Sequence, residues 1–122
     1  MNIYKGEILH LDKPLGWTSF NLVAKLRWQI CRKAGIKKLK VGHAGTLDPL
    51  ATGVMTICVG RATRLIDQLQ AQTKEYVATM QLGATTPSYD LEKEVDATYP
   101  TAHITREGIL KVLTRFTGRI EQ

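Results

Sequence analysis

The run Val54-Met55-Thr56-Ile57-Cys58-Val59 decides how the rest of the chain is read. It is rich in β-formers and apolar at odd and even positions alike, so both faces need cover, which marks a central strand. Gly60 ends it. Upstream, Glu7-Ile8-Leu9-His10-Leu11 predicts a short strand, broken by Lys13-Pro14-Leu15-Gly16. Thr18 or Ser19 can cap a helix on which Leu22, Val23, Leu26 and Ile30 recur at helical spacing, and Gly35 is its stop. Leu39-Lys40-Val41 is weakly strand-like. Downstream, residues 62–71 predict a helix with Leu65, Ile66 and Leu69 inward. Residues 74–82 predict the longest strand, with Tyr76, Ala78, Met80 and Leu82 on one face. Residues 83–100 hold turn formers and acid, with a brief strand near Val95. Thr105 caps a last helix with Ile109, Leu110, Leu113 and Phe116 inward. The expected fold is mixed α/β (α+β), a largely antiparallel sheet flanked by helices.

The 122 residues suit one domain or part of one, and 43% apolar with 23% charged residues excludes disordered and fibrous classes. No apolar run reaches the roughly 18 residues of a membrane span. Met1-Asn2-Ile3-Tyr4-Lys5-Gly6-Glu7 lacks the apolar core of a signal peptide, so a cytoplasmic location is expected. Cys31 and Cys58 stand far apart and suit reduced thiols. The net charge of +6 is uneven: residues 1–75 hold 12 Lys/Arg against 5 Asp/Glu, and residues 76–122 hold 5 against 6. Lys25, Arg27, Arg32, Lys33, Lys37, Lys38 and Lys40 crowd residues 25–40 with no acidic neighbour. Such a stripe reads either as a footprint for a polyanion or as a solvated helix face followed by a lysine-rich loop.

Metal chemistry has no support, since His10, His43 and His103 are scattered and neither cysteine has a partner at ligand spacing. Phosphate-loop and dinucleotide glycine patterns are absent too. What remains is Gly42-His43-Ala44-Gly45-Thr46-Leu47-Asp48-Pro49-Leu50-Ala51-Thr52-Gly53, a loop without periodicity. Pro49 pushes Asp48 toward extended backbone, while Gly45 and Gly53 allow sharp turns or close approach. Asp48 is thus a candidate nucleophile or general base, or else an ordinary Asp-Pro turn whose carboxylate bonds its own backbone. His43 can contact a base or a phosphate, or be a half-buried loop residue. Tyr76 is by default a core ring, and otherwise a platform for an extruded base. Lys13 and Arg64 read as phosphate contacts or as plain surface charge.

Taken together, the segments resemble the TruB-type tRNA pseudouridine synthases. His10-Leu11-Asp12-Lys13-Pro14-Leu15-Gly16-Trp17-Thr18-Ser19 is similar to that family's opening motif. The run from Gly42 to Arg64 is similar to its active-site motif, with Gly42, Gly45, Thr46, Pro49 and Gly53 setting the loop geometry. Lys74-Glu75-Tyr76 and Leu82-Gly83-Ala84-Thr85-Thr86 match a third stretch, and Phe116-Thr117-Gly118-Arg119-Ile120-Glu121-Gln122 matches the segment that follows. Family members often carry Asp-x-x-Gly where this chain has Asp90-Leu91-Glu92-Lys93.

The resemblance implies a cofactor-free, metal-free isomerisation of a T-loop uridine of tRNA, at the position conventionally numbered 55, to pseudouridine. It makes Asp48 the nucleophile, Tyr76 the platform for the flipped base and His43 a contact to the T-loop. Lys13, Arg64 and the 25–40 stripe would hold phosphates. Family members continue well beyond this length. Residues 1–122 are therefore expected to be the N-terminal part of the catalytic domain. The remainder of that domain and any C-terminal RNA-binding domain would lie outside them, and residues 1–122 alone would be inactive. The alternative reading is a tRNA-binding or RNA-folding module without catalysis.

Overall fold

The computed structural model describes residues 2–121. The chain forms two compact units that divide after Tyr76.

In the first unit, β1 (Glu7–Lys13), β2 (Val41–His43) and β3 (Gly53–Val59) make an antiparallel sheet in the order β1-β3-β2. The 54–59 run is central, as its composition predicts. β1 pairs with β3 so that Leu9 lies opposite Ile57 and Leu11 opposite Met55. Helix α1 (Ser19–Ala34) starts with a capping box: Asn21 N–H donates to the Thr18 hydroxyl, and Thr18 N–H donates to the Asn21 side-chain oxygen. Thr18 is therefore the cap, which leaves the Ser19 side chain for another task. Val23 packs on Met55 and Ile57, with Leu9, Leu11, Leu22, Leu26, Val41 and Leu47 around them. Burying each such side chain is worth about 1.5–3 kcal/mol. Cover on the second face of the sheet is uneven. Cys58 is fully buried there, while Val54 is 71% exposed. His10 and Thr56 face each other on it, Nδ1 to Oγ1 3.2 Å apart.

Beyond β3 the structure departs from the periodicity. Residues 60–71 do not form one helix. Gly60–Leu65 is a 3-10 turn and only Ile66–Gln70 (α2) is α-helical. The Thr63 hydroxyl donates to the Gly60 carbonyl, a tight local bond at the start of the turn. Leu65 is exposed rather than inward. Residues 74–82 form no strand: alternation gives them β-propensity, but among the described residues no neighbouring strand pairs with them. Met80 and Val77 are correspondingly exposed.

In the second unit, β4 (Ala84–Thr85) and β5 (Ala97–Thr98) pair antiparallel, β5 lying two residues beyond the expected position. Helix α3 (Arg106–Leu113) is capped by Thr105, whose hydroxyl accepts from Gly108 N–H at 3.1 Å. Its expected inward stripe is not buried: Ile109, Leu110, Leu113 and Phe116 are all exposed. One short helix and a two-residue ladder enclose too little volume for a core of their own. At the departure from the family pattern, the Asp90 carboxylate accepts from the Ser88 hydroxyl at 2.6 Å and from Glu92 N–H at 2.9 Å. The Ser88 bond, and then the Glu92 bond, hold its carboxyl below the usual carboxylate range.

Candidate active site

The loop between β2 and β3 carries Asp48 at its exposed tip. Gly45 and Gly53, at φ of 121° and 130°, bend the backbone where residues with a Cβ are rarely found. The turn is closed by main chain, Ala51 N–H donating to the Asp48 carbonyl at 2.9 Å. Among the described residues the Asp48 carboxylate makes no hydrogen bond, so it is not spent on an Asx turn and faces solvent.

Both neighbours of Asp48 are tied down. On one side, the Ser19 hydroxyl donates to the Leu47 carbonyl at 3.0 Å and accepts from Leu47 N–H at 2.9 Å. On the other, Gly16 N–H donates to the Pro49 carbonyl at 2.7 Å, and the Lys13 ammonium donates to the same oxygen at 3.4 Å. Lys13 also donates to the carbonyls of Pro14 and Trp17, at 3.0 and 2.6 Å. The carboxylate therefore stands on a loop that is fixed by a strand end, a turn and a helix start.

Lys13, expected to hold a phosphate, is turned inward. Its side chain is fully buried, and its donors point at three main-chain oxygens. It shares the inward register of Leu9 and Leu11 on β1, which puts the ammonium inside. A buried cation is tolerated because carbonyls satisfy it.

His43 ends β2. Its Nδ1 lies 2.8 Å from the Gly45 carbonyl, so Nδ1 carries a proton and Nε2 is left for a partner. Thr46 is exposed beside Asp48. Gly42 leaves room for Ile66, whose Cδ1 would stand 2.8 Å from an added Cβ. Arg64 is exposed and lines a shallow pocket with Lys5, Arg61 and Leu65. Tyr76 lies on the segment that pairs with no strand among the described residues and is 64% exposed, so it is not a core ring. Sequence reading missed Ser19 as a loop anchor. The available signal is a serine directly after a threonine that already serves as the cap. Among the described residues no cluster of three His, Cys, Asp or Glu could hold a metal ion, and no helix is long and apolar enough to cross a membrane.

The profile of a family described as TruB family pseudouridylate synthase (N terminal domain) matches residues 32–122. The tRNA pseudouridine synthase B of Phocaeicola vulgatus is 69% identical over 122 residues, covering 100% of this chain and 52% of that protein. That of Bacteroides thetaiotaomicron is 67% identical over the same length and is covered to 51%. That of Flavobacterium johnsoniae is 53% identical over 119 residues, 97% of this chain and 52% of its own. The chain spans about half the length of the curated relatives it matches.

Proposed function

Since the chain belongs to the TruB family of pseudouridylate synthases, we propose that it provides the nucleophile, Asp48, for converting a T-loop uridine of tRNA, at the position conventionally numbered 55, to pseudouridine. The observation that carries this reading is the Asp48 carboxylate, exposed and without a hydrogen-bond partner among the described residues, on a loop anchored at both neighbouring residues. A nucleophile needs free lone pairs and a fixed position, and misplacement by about 1 Å costs on the order of a hundredfold in rate.

The target base leaves the stack to reach the loop. Asp48 attacks the nucleoside, the bond between ribose C1′ and uracil N1 breaks, the ring turns and rejoins through C5, and the bond to Asp48 is released to restore the free carboxylate. The proton lost from C5 is matched by one gained at N1, so atoms balance without a co-reactant. His43 offers Nε2 to the T-loop from a ring oriented by Gly45, and the exposed Tyr76 ring serves as the platform for the flipped base. Arg64 contributes a surface cation for the RNA backbone. Residues 1–122 in isolation are not expected to turn over tRNA, because no described residue supplies a charged partner to hold the carboxylate of Asp48 against the substrate.

The test is incubation of the protein that carries this chain with a tRNA transcript tritiated at C5 of its uridines. Tritium release at the T-loop uridine is the expected result. Binding of the transcript with no release overturns the reading in favour of a non-catalytic tRNA-binding module.

A further inference from the structure

Residues 73–82 carry Tyr76 but make no main-chain hydrogen bond among the described residues, so no ladder or turn fixes the ring that is to receive a base. The hydrogen bonds of this stretch belong to one side chain, Lys74. Its ammonium donates to the Gln70 carbonyl and, at 3.3 Å, to the Gln72 carbonyl. Gln70 is the last residue of α2, where helix carbonyls have no partner within the helix and a lysine can supply one. Tyr76 follows two residues later, so the two Cα atoms are at most roughly 7 Å apart.

The stem of the same lysine reaches the Asp48 loop. A Cβ added to Gly45 would stand 3.6 Å from Lys74 Cε, so the methylene chain passes over the bare side of that glycine. Ile66, at the start of α2, approaches Gly42 in the same way. The stretch from Ile66 to Lys74 thus lies against both glycines that flank His43 and Ala44. The Gly45 carbonyl accepts from His43 Nδ1 at 2.8 Å, and Leu47, two residues further on, is held by Ser19. One lysine side chain thereby joins the end of α2, the bend that orients His43, and the chain that enters Tyr76.

An exposed lysine beside an RNA site also reads as a phosphate contact, and Lys74 is exposed. Two of its three ammonium donors, however, are directed at main-chain carbonyls. Its stem is laid along protein backbone and does not extend into solvent. Both features suit a tether better than a free cation.

We propose that Lys74 is a positioning residue that straps the chain leading into Tyr76 against the Gly45 bend, so that the platform for the flipped base is held at the Asp48 loop. The proposal rests on the catalytic reading of Asp48 and Tyr76 and deepens it.

Two variants test it in the protein that carries this chain, with an unmodified tRNA transcript tritiated at C5 of its uridines. Lys74→Met keeps an unbranched stem and removes the ammonium, whereas Lys74→Arg keeps a stem and a cation. Lys74→Met should slow single-turnover tritium release roughly ten- to a hundredfold, the cost of a misplaced ring. Transcript affinity and the slope of its salt dependence should hold, because no phosphate contact is lost. Retained affinity also shows that the variant is folded. Lys74→Arg should recover most of the rate. Weaker binding with a slope flatter by about one would make Lys74 a phosphate contact and overturn the proposal. Weaker binding at an unchanged slope would overturn it too, because Lys74 would then act through His43. A Lys74→Arg rate no better than that of Lys74→Met would count against it as well. The two readings fail distinguishably. A wild type that binds the transcript and releases no tritium sinks the catalytic reading, and the role of Lys74 with it. An active wild type matched in rate by Lys74→Met sinks the role of Lys74 alone.

Discussion

The Ser19 hydroxyl holds the main chain of Leu47 at both polar groups, donating to its carbonyl at 3.0 Å and accepting from its N–H at 2.9 Å. One oxygen thereby joins the first turn of α1 to the residue before Asp48. Ser19→Ala would leave both Leu47 groups unpaired in a part-buried place, a loss of about 1–3 kcal/mol in stability. The freed loop should also lower the single-turnover rate of pseudouridine formation by roughly ten- to a hundredfold, while tRNA affinity is retained. Chemical denaturation together with rapid-quench assays reads both effects. A stability loss with an unaltered rate would make Ser19 a structural residue only.

Lys13 gives a contrasting prediction, because the burial of its ammonium removes it from the RNA. Lys13→Met would leave the Trp17 carbonyl without its donor and take one donor each from the Pro14 and Pro49 carbonyls, and it should destabilise the protein by about 1–3 kcal/mol. The salt dependence of tRNA binding should not change. A slope reduced by about one would restore the phosphate role.

His43 and Tyr76 should separate binding from turnover. His43→Ala removes the ring that Gly45 orients and should weaken tRNA binding. Tyr76→Phe keeps the ring and removes the hydroxyl, so it should slow turnover more than it weakens binding. An unchanged single-turnover rate in Tyr76→Phe would show that the hydroxyl takes no part in the chemistry.

The thiols should differ in reactivity. Burial pushes the Cys58 thiol above its ordinary pKa, and its side chain has no exposed surface, whereas Cys31 is partly open. Iodoacetamide should label Cys31 in the native protein and Cys58 only after unfolding. Because the folded pKa is raised, the associated stability is present below the unfolded thiol's pKa. It is lost as pH rises through the folded value. Native labelling of Cys58 at neutral pH would contradict the packing of β3.

Local patterns made part of this legible. The apolar run of β3, the Thr18 cap and the glycines at 45 and 53 each act over a few residues, and their signals survive in sequence. Tertiary contacts do not. Ser19 and Leu47 are 28 positions apart, and Lys13 and Pro49 are 36 apart, so nothing near Asp48 announces its anchors. Lys13 reads as surface charge beside Pro14, although its parity with Leu9 and Leu11 already places it inward. Residues 74–82 and the stripe of α3 have the right periodicity for buried elements, but periodicity names a face without supplying what covers it.

Asp48→Asn tests the central claim most directly, since it keeps the side chain's shape and removes its charge and nucleophilicity. In the protein that carries this chain, single-turnover tritium release from the T-loop uridine should vanish while filter binding of the same tRNA is retained. Pseudouridine formation that persists in Asp48→Asn, or a loss of binding in step with the loss of activity, would contradict the account.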